Sequence, residues 1–172
     1  MKPIWFALRT FNSDPRLLQA EIVAAGQLAW VPTRRIRQEV DGNAALATLP
    51  LVPNVILVQS TDTWLRQFVQ RHPGQMVFYT DASGRPLVLP EGQVKELRQA
   101  DIAKGDKNLT FLGRDMEPLR RSIPVTITGG PFAGISGHYA RIASDRSILL
   151  PLQDVALIKL PFIPESQWTP VQ

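Results

Sequence analysis

Arg34, Arg35 and Arg37 stand together in the segment TRRIRQ. Planar guanidinium groups grip phosphate oxygens two at a time, so such a cluster is where a polyanion would bind. In an extended segment side chains alternate, which puts Arg35 and Arg37 on one face and Ile36 on the other. Two readings stay open. The arginines contact DNA or RNA phosphates, or they are solvated charges that protect a sheet edge. The net charge of +4 and the pI of about 9.9 favour an anionic partner only mildly.

Bond-making chemistry lacks its parts. The chain has no cysteine, which removes disulfides and thiolate metal sites and suits a reducing compartment. Its two histidines, His72 and His138, are not spaced for a metal. His72 precedes Pro73-Gly74, where it can meet the terminal carbonyls of a helix; His138 is expected on a strand, at the surface or an edge. There is no GxSxG, and the carboxylates are scattered singly. The expectation is a protein that is not an enzyme and holds no cofactor and no metal.

A second segment, GGPFAGISGHYARI from Gly129 to Ile142, packs glycines around one phenylalanine. It lacks the GxxxxGK[ST] pattern and does not lead from a strand into a helix, so a phosphate-cradling loop is disfavoured. A tight corner of a small β domain explains it better. Gly129 and Gly130 would sit in a turn, and Gly134 and Gly137 where backbones approach closely or bulge. Phe132 is then either a plug in the domain's mouth or an exposed partner contact.

The elements that must position these residues can be read from pattern. IWFALRT is a strand. PRLLQAEIVAAG is a helix, capped by Ser13 or Asp14, opened by Pro15 and stopped by Gly26. Two extended segments meet at Asp41-Gly42, a pair that favours hairpins. NVILVQS is a strand buried on both sides or in a sheet centre. DTWLRQFVQ is a helix with Trp64, Leu65, Phe68 and Val69 inward. QMVFYTDASGRPLVLP holds two strands, and EGQVKELRQA is a last helix. This is an α+β sandwich, a mainly antiparallel sheet flanked by helices, over residues 1–100. Residues 101–121 mix charges and glycines and read as a linker, with a short ordered piece around Leu109 to Leu112. Short, closely spaced strands fill 122–172, as in a small β-barrel. The run LPLVPNVILV is broken by prolines and too short to span a bilayer, and MKPIWFALRT lacks the apolar stretch of a secretion signal. A cytoplasmic protein is expected.

Placed in order, these segments resemble a known family. GGPFAGISGHYARI looks like a KOW motif. WFALRT, VPTRRIR and PLVPNVILV resemble three signature segments of the NusG N-terminal (NGN) domain, and RPLVLPEGQVKEL resembles its end. DVALIKLPFIP is similar to the tail of UpxY-type proteins, specialised NusG paralogues of Bacteroidales associated with capsular polysaccharide operons. The resemblance implies an NGN domain over 1–100 and a KOW barrel over 122–172. It implies a monomeric transcription elongation or antitermination factor. The NGN domain would dock on the clamp helices of RNA polymerase through an apolar set: Phe6, Leu51, Val52, Val55 and Leu57. Arg16, in the first helix, would join Arg34, Arg35 and Arg37 on DNA or nascent RNA. Phe132, Gln153 and Asp154 would face a partner of the KOW domain. The loop LPLQDVALIKL carries Gln153 and Asp154 where housekeeping members offer an aromatic residue, which puts contact with Rho or the ribosome in doubt. The alternative is a ribosome-associated KOW protein that binds RNA directly.

Overall fold

The computed structural model describes residues 2–12 and 14–172. In chain order the elements begin with β1 (Ile4–Thr10), α1 (Pro15–Ala24), β2 (Leu28–Trp30), β3 (Thr33–Val40), β4 (Asn43–Pro50) and β5 (Val55–Ser60). There follow α2 (Asp62–Gln70), β6 (Met76–Phe78), β7 (Val88–Leu89), α3 (Glu91–Ala103) and β8 (Thr110–Phe111). After a 3-10 turn at Glu117–Arg121 come β9 (Ile123–Ile127), β10 (Ser136–Ile142), β11 (Asp145–Leu152), β12 (Ala156–Lys159) and β13 (Trp168–Pro170). The chain divides into two compact units. One is Met1–Pro32 with Val52–Glu91; the other is Thr33–Leu51 with Gly92–Gln172.

The first unit is an antiparallel sheet with α1 and α2. Its strands run β2-β5-β1-β6, and β7 also pairs with β1. The register sets Phe6 opposite Val58 and Leu8 opposite Ile56, so these four share a face. That face forms the core with Leu18 and Ile22 of α1 and Leu65 and Phe68 of α2, while Trp64 and Val69 pack against it. Each fully buried Leu, Ile or Phe contributes roughly 1.5–3 kcal/mol relative to an exposed one. The helix starts follow local chemistry. The Asp14 side chain accepts from the Arg16 backbone N–H at 2.9 Å, and Pro15 fills the first turn, whose N–H would lack a helical partner anyway. Ser13, the other expected cap, lies outside the described residues. Thr61 Oγ1 caps α2, accepting from the Trp64 N–H at 3.3 Å.

The extended segment expected through AWVPTRRIR breaks at Val31-Pro32. β2 joins the first unit's sheet, whereas β3 pairs only with β4 in a two-stranded ribbon. Proline has no N–H to continue a ladder, which makes the break there natural. Asp41 and Gly42 turn the ribbon with φ of 53° and 78°. Both being positive matches the mirror-image turn whose twist suits a hairpin.

In the second unit a six-stranded antiparallel sheet runs β13-β9-β10-β11-β12-β8. No pairing joins β13 to β8 among the described residues, so the expected barrel is a strand path with two ends rather than a closed ring of hydrogen bonds. Short edges explain how it persists. β8 has two residues and β13 three, the last of them Pro170, and brevity and proline both blunt an edge. Gly137 lies where a Cβ would come within 2.6 Å of Ile148 Cγ2 and 3.1 Å of the Leu149 carbonyl. Only glycine lets β10 approach β11 that closely.

The segment 101–121, expected as a linker, is ordered. α3 extends to Ala103, and β8 pairs with β12. Met116 and Leu119 pack against the cluster of Ala140, Leu149 and Leu157. Leu109 is buried. The units also depart from the expected consecutive domains, because the β3–β4 ribbon and α3 group with the C-terminal sheet. Long-range side-chain bonds account for that grouping. Gln93 Oε1 accepts from the Gln153 N–H at 2.8 Å, and Glu96 Oε2 from the Ser136 N–H at 3.1 Å. Lys104 Nζ donates to the Thr33 carbonyl and, at 2.6 Å, to Asp101. Among the described residues, no helix is long and apolar enough to cross a membrane.

Candidate functional site

The β3–β4 ribbon carries the basic cluster, and its register divides the arginines. Arg35 lies opposite Thr48 and Arg37 opposite Leu46, so these two share a face. Arg34 lies opposite Leu49 and, with Ile36, belongs to the other face. Arg35 and Arg37 are exposed and Arg34 is half-buried. None of the three is in an ion pair among the described residues. The facing strand contributes Ala44, Leu46 and Thr48 on the same side as Arg35 and Arg37. Leu46 is 69% exposed. An isolated two-stranded ribbon is marginal in water, and Asn108 steadies this one. Its Oδ1 accepts from the Arg35 N–H at 2.9 Å, and its Nδ2 donates to the Arg35 carbonyl at 2.7 Å. The result is a held ribbon with two guanidinium groups on one open face, an arrangement that can take phosphate oxygens.

Arg16 belongs to the first unit and is already engaged. Its Nε lies 3.0 Å from both carboxylate oxygens of Asp14, and its Nη2 lies 2.6 Å from Oδ2. Hydrogen bonds from the Arg16 side chain, then from its backbone N–H, hold the Asp14 carboxyl below its usual range. The geometry makes Arg16 part of the α1 cap.

The five apolar residues expected on a docking surface are all buried: Phe6, Leu51, Val52, Val55 and Leu57. Nor do they form one patch. Phe6 faces the core of α1 and α2, opposite Val58, whereas Leu57 lies opposite Ala7 and Val55 opposite Arg9, on the sheet's other face. The physical reason is that β5 is covered on both faces. Val55, Ile56, Leu57 and Val58 are each at most 1% exposed. A run of apolar residues without alternation is the signature of such a strand.

Phe132 is also buried, which fits the plug reading rather than a partner contact. Gln153 and Asp154 are exposed in the turn between β11 and β12, closed by the Val155 N–H donating to the Leu152 carbonyl at 2.9 Å. Asp154 has φ of 58°, and its carbonyl accepts from Arg114 Nε at 3.1 Å.

Both histidines sit in structural settings. His72 Nδ1 lies 2.8 Å from the Phe68 carbonyl and Nε2 lies 2.8 Å from Glu21 Oε2, with the ring stacked on Phe68 at 4.2 Å. It ties the end of α2 to α1. His138 is half-buried, with Nδ1 3.4 Å from Ser122 Oγ. Burial pushes its pKa down, because the charged ring loses hydration. Among the described residues no group of three or more His, Cys, Asp or Glu could hold a metal ion.

Asn108 was invisible in the sequence. It is one polar residue in a segment that reads as a linker, and its partner is 73 positions away.

No protein-family model matches the chain, and no curated protein matches it. Among solved structures it is similar to one that describes domain interaction in NusG from Thermotoga maritima. The likeness covers 100% of this chain and 99% of that one, with a TM-score of 0.52 and 15% identity. The fold is NusG-like.

Proposed function

We propose that this chain is a NusG-like transcription factor that binds RNA polymerase and promotes processive elongation or antitermination. The single observation that carries the reading is the end-to-end likeness of its fold to NusG. Fold alone does not fix function. The reading therefore also leans on the ordered segments WFALRT, VPTRRIR, PLVPNVILV and GGPFAGISGHYARI, which resemble the NGN and KOW signatures in their family order.

In this reading the first unit supplies the contact with the polymerase clamp helices. The β3–β4 ribbon lays Arg35 and Arg37 on phosphates of DNA or nascent RNA beside the enzyme. The C-terminal sheet plays the part of a KOW domain, with Gln153 and Asp154 exposed in a turn where a further partner would bind. Phe6 has no place at a polymerase contact, since it belongs to the core. In this reading the protein works by binding rather than by catalysis. The UpxY-like tail, DVALIKLPFIP, points to action on particular operons, those for capsular polysaccharide among them, rather than on transcription at large.

Capture from a lysate on immobilised protein, against purified RNA polymerase and purified ribosomes, tests the reading. Retention of polymerase without ribosomes is expected. Retention of ribosomes alone would replace it with the RNA-binding KOW reading.

A further inference from the structure

The C-terminal sheet carries a second set of arginines, apart from those of the β3–β4 ribbon. The register of β10 and β11 sets Arg141 directly opposite Arg146, beside the turn at Ala143 and Ser144. Directly opposed residues share a face and approach closely, so two like charges there repel and destabilise the pair. Arg121, the last residue of the 3-10 turn, joins them around a groove of about 230 Å³ that Ile123, Tyr139 and Ala140 also line. All three arginines are exposed. None of them takes part in an ion pair or side-chain hydrogen bond among the described residues. The nearby carboxylates do not compensate. Glu117 is paired with Arg120 at 3.2 Å, and Asp145 lies opposite Ile142, on the alternate face from Arg141 and Arg146.

An uncompensated like-charge pair in register is costly to the free protein and favourable to a bound polyanion. The groove's wall narrows the choice of polyanion. Tyr139 shares the face of Arg141, and its ring is held by Trp168 at a centroid distance of 4.5 Å. A fixed aromatic ring beside guanidinium groups is the pairing that takes an unstacked base and its flanking phosphates. An acidic peptide would leave the ring unused, and a duplex keeps its bases stacked away from it. We infer that this groove binds single-stranded nucleic acid, with phosphates on Arg121, Arg141 and Arg146 and a base against Tyr139. The site is separate from the ribbon of Arg35 and Arg37, and it does not depend on polymerase binding.

Fluorescence anisotropy with a labelled oligouridylate of about twelve nucleotides, within the usual footprint of a single-strand binder, tests this. The variant Arg121→Gln/Arg141→Gln/Arg146→Gln should lose affinity at low salt. The slope of log affinity against log salt should fall by about 2, at roughly 0.7 per phosphate contact on a single strand. The corresponding triple lysine variant should keep the slope. Arg34→Gln/Arg35→Gln/Arg37→Gln should leave the contribution of the groove in place. The triple glutamine variant should melt no lower than the native chain, since a repulsion has been removed. Arg146→Gln alone, the smallest change, should weaken binding too. Unchanged affinity and slope in the triple glutamine variant would overturn the proposal. So would displacement of the oligouridylate by polyglutamate or duplex DNA as readily as by unlabelled oligouridylate. Polymerase capture is not part of the readout, so this result and that one can fail independently.

Discussion

Val55 and Leu46 are both apolar side chains on strands, and their surroundings predict opposite responses to the same change. Val55 is 1% exposed and Leu46 is 69% exposed. Val55→Glu buries a charge without a partner and should cost about 3 kcal/mol or more, enough to unfold a marginal domain. Leu46→Glu should leave the melting temperature almost unchanged. Thermal melting of the two variants side by side checks this. His138 makes a second test. Its pKa in the fold is lowered from the model-peptide value of 6.5 by burial. The unfolded chain therefore takes up the proton first, at pH values between the folded and unfolded pKa. This contribution to stability is fully present above about 6.5 and is lost as pH falls through the depressed folded value. Melting temperature followed from neutrality down to about pH 5 should fall, and His138→Gln should flatten that part of the curve. At this scale the sequence is unevenly legible. The cap at Asp14 and the inward residues of α2 were legible, because each is set within one or two helical turns. The fate of Val55 was not. An apolar run reveals that a strand is covered on both sides, but not whether a second face is covered by its own chain or by a partner.

The β3–β4 ribbon shows how an element turns a sequence cluster into a surface. Asp41-Gly42 and the alternation of Arg35 and Arg37 about Ile36 could be read directly, since both are local. The register adds that Arg34 lies on the opposite face from Arg35 and Arg37. A single flat face of duplex DNA can therefore meet two of the arginines and not the third. Arg35→Gln/Arg37→Gln should lower the salt slope for duplex binding by about 1.8, at roughly 0.9 per phosphate, and adding Arg34→Gln should change it little. Equal contributions from all three, in binding titrations over a range of salt, would mean that the ribbon is embraced on both faces. The Arg141–Arg146 pair was legible in principle. Counting outward from the two-residue turn at Ala143-Ser144 in RIASDR sets the arginines opposite each other. The turn is made by an alanine with φ of 53°, however, rather than by the glycine or asparagine that usually signals it.

Across the whole molecule, the order of motifs carried the fold, and the segment between them carried the surprises. WFALRT, PLVPNVILV and GGPFAGISG are short-range patterns, and each formed the strand or turn it predicts. Residues 104–121 have no period to read, because their order comes from distant partners: β12 for β8, and Ala140, Leu149 and Leu157 for Met116 and Leu119. A free linker would be cut by trypsin at Lys107 or Arg114 before anything else. With Leu109 at 1% exposure and Thr110–Phe111 paired, those bonds should instead survive until the C-terminal unit unfolds. Mass analysis of a brief digest distinguishes the two. The amide of Asn108 has a further consequence, felt between molecules rather than within one. By bonding both the N–H and the carbonyl of Arg35, it occupies the position where the first residue of a foreign strand would attach. Asn108→Ala would leave those two groups open on a ribbon whose other strand, NAALATLP, is uncharged. That is the template on which copies stack into fibrils. Light scattering of the variant should rise with protein concentration and time, while the native chain stays clear.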